Sequence, residues 1–234
     1  MAITYFGKNV LMTLEEWVNP THSAVVVVDV QNDFCSLGGY VHRRGQDITP
    51  LQTMLTKLRR LLDGARRAGT RVVYVQHTVA RDGATESPAY LAYRLKLHGG
   101  DCPELCLEGT WGHQICAAVA PQPGDLVVRK HRQPPWIGTD LDQLLRANGV
   151  QTVIATGTMT SACVDWTARL GVQLDYYVVV PEDCVAQTDC AAHDAAIAAL
   201  RRYLPDGGVT TSEALLQVWG VTASPGAPSV PLTP

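Results

Sequence analysis

Short runs of β-branched apolar residues recur along this chain. Each is followed by a stretch whose apolar residues fall at helical spacing, and that alternation leaves few folds open. The run "SAVVVVDV" (23–30) is continuous and short, which predicts a strand buried on both faces. In "PLQTMLTKLRRLLDGARRAG" (50–69), Leu51, Met54, Leu55, Leu58, Leu61, Leu62 and Ala65 recur at 3.6-residue spacing. Pro50 suits the first helical turn and Gly69 the C-terminal stop. Strands follow at "RVVYVQH", "DLVVRK", "QTVIATG" and "LDYYVVVPED". Helices are predicted at "TDLDQLLRANG", with Thr139 as N-cap, around Cys163, and at "TDCAAHDAAIAALRRYLPDGG", with Thr188 as cap. "GVTT" reads as a short sixth strand and "SEALLQVW" as a last helix. Between Thr78 and Pro123 the chain reads as a long loop.

Strands alternating with helices of this length imply parallel βαβ units with right-handed crossovers. The expected fold is α/β: a three-layer, doubly wound, mostly parallel sheet in a single domain. Residues 1–20 read as an N-terminal arm, 21–222 as the domain, and the Pro/Ser-rich 223–234 as a disordered tail. Net charge is −3, from 19 basic and 22 acidic residues. That balance gives no footing for nucleic acid or a membrane surface. No signal peptide is read at the N-terminus, and no run reaches the length of a membrane span. Seven scattered cysteines fit free thiols in a reducing, cytoplasmic setting.

In open parallel sheets, ligands bind beyond the carboxyl ends of the strands. Asp29 ends "AVVVVD", Lys130 ends "DLVVRK", and Cys163 lies just past the strand that closes at Gly157. Taken singly, such an Asp is often a turn residue and such a Lys is usually solvated. Together they form a nucleophile, a cation and a proton carrier from three strands at one edge. A helix N-terminus and a neighbouring ammonium both favour the thiolate, so Cys163 is expected to be activated by its own helix and by Lys130. Asp29 suits the shuttle that takes the thiol proton and returns it to a leaving amine. The tight turn before Cys163 is able to aim backbone N–H groups at an oxyanion, worth about 3–4 kcal/mol per donor.

The stretches "VVVVDVQNDFCSLGGY", "VVRKHR", "GTDLDQLLRANGVQTVIATGTMTSACVDWTAR" and "VVPEDCVA" resemble the isochorismatase-like cysteine hydrolases, in order and over roughly residues 24–219. The resemblance implies a Rossmann-like fold and a catalytic triad of Asp29, Lys130 and Cys163. It implies a cis peptide between Thr158 and Met159, and an oxyanion hole formed by the amides of Met159 and Cys163. Phe34, Trp136 and Ile137 are expected to line the substrate pocket, and His131 and Arg132 to assist if the substrate carries a carboxylate. The resemblance also implies a homo-oligomer, dimer or tetramer.

The nicotinamidases of that family carry a metal site after the second strand. Here that place holds His77 alone, so no metal and no cofactor are expected. A zinc knot through Cys102, Cys106, Cys116 and His113 is the competing reading of "CPELCLEGTWGHQIC", but the same segment resembles an ordinary family loop. Cys35, Cys184 and Cys190 read as small packing residues, and Trp166 as core. Within the family, "GGY" and "PQPGDLVVRK" most resemble the ureide branch. The expected activity is therefore cysteine-dependent hydrolysis of a small linear ureide or carbamoyl amide, such as biuret, triuret or a ureidoacrylate-like compound. It would release ammonia through an acyl-cysteine. A nicotinamidase or an N-carbamoyl amino acid amidohydrolase is the nearest alternative. A thiol redox sensor and an inactive binding module are the non-enzymatic ones; the first lacks a C-x-x-C, and the second would be expected to have lost one of the three polar residues.

Overall fold

The computed structural model describes residues 3–100 and 104–221. It opens with a hairpin of β1 (Ile3–Tyr5) and β2 (Lys8–Val10), paired antiparallel. The short helix α1 (Leu14–Trp17) follows, started by a reciprocal Thr13–Glu16 capping box. This N-terminal stretch is docked rather than loose. The Leu11 amide donates to Tyr177 Oη at 3.0 Å, and the Trp17 indole is buried and stacks on the Tyr177 ring.

Next come β3 (Ser23–Val28), α2 (Asn32–Cys35), α3 (Tyr40–Arg43), α4 (Thr49–Ala68), β4 (Arg71–His77) and α5 (Pro88–Leu97). After α5 come β5 (Leu126–Lys130), α6 (Leu141–Ala147), β6 (Thr152–Thr158), α7 (Asp165–Gln173) and β7 (Tyr177–Pro181). The chain continues through β8 (Val185–Ala186), α8 (Cys190–Tyr203), β9 (Val209–Thr210) and α9 (Ser212–Val218). The main sheet is seven-stranded, ordered β5-β4-β3-β6-β7-β9, with β8 beside β6. Its pairings are parallel, with β3 central between β4 and β6.

Strand side chains alternate between faces, and here both faces are buried. Val25 and Val27 enter one apolar cluster with Leu51, Leu55, Leu58 and Leu62 of α4 and Leu215 of α9. Ala24, Val26 and Val28 enter the other, with Leu141 and Leu145 of α6, Ala168 of α7 and Leu200 of α8. The expected three-layer, doubly wound α/β domain is thus observed. Gly69 closes α4 in the left-handed conformation, as its position predicts.

The helix starts differ in detail. Asp189, not Thr188, caps α8, by accepting from the Ala192 amide, and Thr188 instead donates to Gln46 Oε1. Asp140 takes the N-cap place of α6 but makes no capping bond with its side chain; the Thr139 hydroxyl, the predicted cap, accepts from the Leu141 amide at 3.2 Å. Helix α5 lies in the stretch read as loop. It starts on Ser87, whose hydroxyl accepts from the Tyr90 amide, and only Arg94 of its residues is buried. A helix that buries so little apolar surface has no 3.6-residue stripe to find. Residues 223–234, the predicted tail, and Cys102 of the competing zinc reading lie outside the described residues.

Candidate active site

Three strand ends deliver the three polar residues. Asp29 follows β3 with a positive φ of 52°, and its amide donates to Val75 O of the neighbouring strand. Lys130 is the last residue of β5, in register with His77, the last of β4. Cys163 lies in a π-helical turn, Thr160–Val164, which connects β6 to α7. The chain reaches that turn through Gly157, at φ 104°, where a Cβ would come within 2.1 Å of Val28 O. Only glycine meets both conditions. The Thr158–Met159 peptide that follows is cis.

Lys130 Nζ stands 2.8 Å from Asp29 Oδ2 and 3.3 Å from Cys163 Sγ. It also donates to the carbonyls of Arg132 and Gln133, at 3.0 and 3.1 Å. Burial would strip the ammonium of its proton, but Asp29 and Cys163 more than offset that, and the Lys130 pKa is raised. Burial likewise pushes the Asp29 carboxyl up, against the pull of Lys130. The Cys163 thiol is pushed up to about 12, by burial first and Asp29 as well, with Lys130 opposing. From the sequence, the helix and Lys130 favour the thiolate and Asp29 takes the thiol proton. Here burial and Asp29 together outweigh the ammonium, and the thiol pKa lies above its usual value, beside a carboxylate more basic than usual.

The turn itself is braced from outside. The Ser161 amide donates to Gln187 Oε1 at 2.8 Å, and Thr160 Oγ1 lies 2.9 Å from His193 Nδ1. Thr167 Oγ1 donates to Cys163 O at 2.6 Å. Gln187 precedes α8, so the end of β8 and the start of α8 together clamp the segment that carries the sulfur.

Cys163 opens into a pocket of about 440 Å³. Phe34, Tyr40, Tyr90 and Leu105 give it apolar walls, while Asp29, His77, Arg44, Arg94, Gln133 and Gln187 supply polar groups. Phe34 stands where the sequence reading placed it, but Trp136 and Ile137 do not line the pocket. The Trp136 indole donates to Thr167 O, packs beside Gly171 of α7 and stacks on Tyr176 at 5.4 Å between centroids. It is a wedge between sheet and helix. Ile137 is 55% exposed at the surface.

His131 and Arg132 also face away from the pocket. His131 Nδ1 lies 2.7 Å from Thr78 O, and Arg132 donates to Thr85 O and lies over the Tyr90 ring at 4.1 Å. Trp166, expected in the core, is 44% exposed, and Cys190, expected to pack, is exposed. Both lie near the starts of their helices, where the first turn projects past the sheet. Of the residues in the competing zinc reading, Cys106 gives its amide to Asp33 Oδ2, and His113 Nε2 sits beside Thr78 Oγ1. Among the described residues no three His, Cys, Asp or Glu side chains converge as metal donors.

Several pocket residues escaped the sequence reading: Tyr40, Arg44, Arg94 and Gln187, while His77, noted there only as a lone histidine without metal partners, also lines the pocket. His77 had a signal, since it too ends a strand, the rule that singled out Asp29 and Lys130. Gln187 had none, because its role depends on a loop returning to another element's turn.

A family model described as the isochorismatase domain matches residues 23–214. The ureidoacrylate amidohydrolase RutB of Rhizobium rhizogenes is 35% identical over 178 residues, covering 71% of this chain and 71% of that protein. A cysteine hydrolase from Pseudomonas syringae superposes with a TM-score of 0.76 at 27% identity, covering 86% of this chain and 94% of that one. The N-carbamoylsarcosine amidase of Thermoplasma acidophilum superposes with a TM-score of 0.63 at 27% identity, covering 82% and 97%.

Proposed function

Because the chain belongs to the isochorismatase family, we propose that its hydrolytic chemistry runs through Cys163 on a small linear ureide or carbamoyl amide, with release of ammonia. The chain is a hydrolase of carbon–nitrogen bonds other than peptide bonds. The observation that carries the finer reading is the contact chain Cys163 Sγ, Lys130 Nζ, Asp29 Oδ2, with links of 3.3 and 2.8 Å at the floor of the pocket.

Asp29 takes the thiol proton as the sulfur attacks the substrate carbonyl. Its raised pKa makes it a better acceptor than an ordinary carboxylate, which suits a thiol pushed up to about 12. The amides of Met159 and Cys163 stabilise the oxyanion. As the tetrahedral intermediate collapses, Asp29 returns the proton to the departing nitrogen and ammonia leaves. Asp29 then deprotonates a water molecule that attacks the acyl-cysteine; the C–S bond breaks, and Asp29 returns that proton to the departing sulfur, restoring the thiol. Lys130 stays charged throughout and balances each anion in turn.

A ureide fits the space and its neighbours. The relative from Rhizobium rhizogenes is named for a ureide substrate and the structural neighbour from Thermoplasma acidophilum for a carbamoyl one. The pocket walls of Phe34, Tyr40 and Tyr90 suit a flat group. The test is kcat/KM for ureidoacrylate, biuret, triuret, an N-carbamoyl amino acid and nicotinamide, followed by ammonia release. The reading expects a ureide or carbamoyl compound to lead. A lead for nicotinamide of tenfold or more, about 1.4 kcal/mol of transition-state preference, overturns it.

A further inference from the structure

His77 is a strand-end residue beside the reacting groups that the mechanism above leaves without work. It ends β4, between Asp29 at the end of β3 and Lys130 at the end of β5. Gln31 grips its backbone on both sides. Gln31 Oε1 accepts from the His77 amide at 2.8 Å, and Gln31 Nε2 donates to the His77 carbonyl at 2.9 Å. The backbone that carries the ring is thereby held beside the reacting groups. It is 8% exposed and lines the pocket that Cys163 opens into. Its side chain makes no hydrogen bond among the described residues, and Nδ1 is fully buried without a partner.

A buried polar group without a partner is costly, and native structures rarely leave one without a reason. The ring is uncharged. Burial lowers its pKa well below the usual histidine value, and Lys130, Arg94, His131 and His113 all push the same way. A neutral imidazole always carries one nitrogen with a free lone pair.

We propose that His77 is a specificity residue whose Nε2, the ring nitrogen that is not fully buried, accepts the internal N–H of the substrate, the one attached to the carbonyl that Cys163 attacks. That N–H is what separates a ureide, H₂N–CO–NH–R, from a plain amide, H₂N–CO–CH₂–R. Asp29 and Lys130 are committed to each other and to the sulfur, and neither accepts from it. The inference rests on the ureide reading and adds the residue that enforces it.

The experiment compares a ureido acid with its carba-analogue, in which CH₂ replaces the internal N–H, on wild-type enzyme and on His77→Leu and His77→Asn. The expected result is a wild-type preference for the ureide. In His77→Leu, kcat/KM for the ureide falls about tenfold or more while that for the carba-analogue moves less than about threefold. His77→Asn keeps an acceptor and recovers most of the preference. Far-ultraviolet circular dichroism and the urea midpoint of each variant serve as the control for folding.

Equal losses on both substrates, or an undiminished preference in His77→Leu, overturn the inference and leave the ureide reading standing. A wild-type enzyme that cleaves ureides without preferring them over the carba-analogue also overturns it. A wild-type enzyme that cleaves the carba-analogue and no ureide overturns both.

Discussion

Lys130 Nζ and Asp29 Oδ2 are 2.8 Å apart, and neither side chain has any exposed surface. An ion pair so placed has lost its hydration and depends on its immediate neighbours for compensation. The carbonyls of Arg132 and Gln133 give Lys130 that compensation, and Cys163 is the remaining contact. The sulfur therefore sits against a pre-formed charge pair on one side and faces the pocket on the other.

The pH dependence follows from the two shifted groups. Activity needs Asp29 ionised, and its pKa is raised from an ordinary 3.8. Activity therefore falls on acidification, with a midpoint above that value. The thiol is pushed up to about 12, so no limb marks its ionisation in the neutral or mildly alkaline range. A profile of kcat/KM from about pH 4 to about pH 10 should show one acid limb and then a plateau. A rising limb near the ordinary thiol range would contradict it.

Cys163→Ser should lose at least about a thousandfold in kcat while still binding substrate, because an alcohol is a far poorer nucleophile than a thiol at this site. Acid-quenched wild-type enzyme should carry the acyl mass on the peptide that contains Cys163. Acyl mass on another cysteine, or a serine variant with substantial turnover, would displace the assignment.

Gln187→Met removes the acceptor for the Ser161 amide while keeping length and volume. Since small misplacements of a reacting group cost on the order of a hundredfold, kcat should drop roughly tenfold to a hundredfold with KM nearly constant. Steady-state kinetics on the preferred substrate measures the split. An effect confined to KM would mean that Gln187 serves the substrate alone.

Gly157→Ala should destabilise the fold by about 2–5 kcal/mol, combining a left-handed backbone with a methyl forced against Val28 O. Urea denaturation followed by far-ultraviolet circular dichroism gives the number. A loss under about 1 kcal/mol would mean that the strand relaxes without difficulty.

The frame of the molecule is readable because its signals are local. Residues 23–28 are apolar at almost every position, and only a strand covered on both faces tolerates that. The positions of Asp29, Lys130 and Cys163 followed from one topological rule applied to strand ends. What escaped was set by packing between distant segments. Trp136 adjoins the Lys130 strand in sequence, yet it turns back onto Gly171 and Tyr176 because an indole fills the space there. Arg94 enters the pocket wall only because its partner Glu86 is buried with it, at 2.9 Å. The Cys163 thiol illustrates a different limit. Motif and helix position both favour ionisation, and burial together with the Asp29 carboxylate reverses the sign.

Lys130 belongs to β5, which borders a single neighbour in the sheet and exposes Val127 and Arg129 to solvent. Asp29 follows β3, and Cys163 sits in the turn after β6, both strands at its centre. Peripheral strands open more readily than central ones. The ammonium thus rides on an edge strand, while its carboxylate and thiol partners follow strands at the centre of the sheet. In mildly destabilising conditions the charge balance of the site would dissolve ahead of the fold, so turnover would report on the integrity of one outlying ribbon well before the scaffold melts.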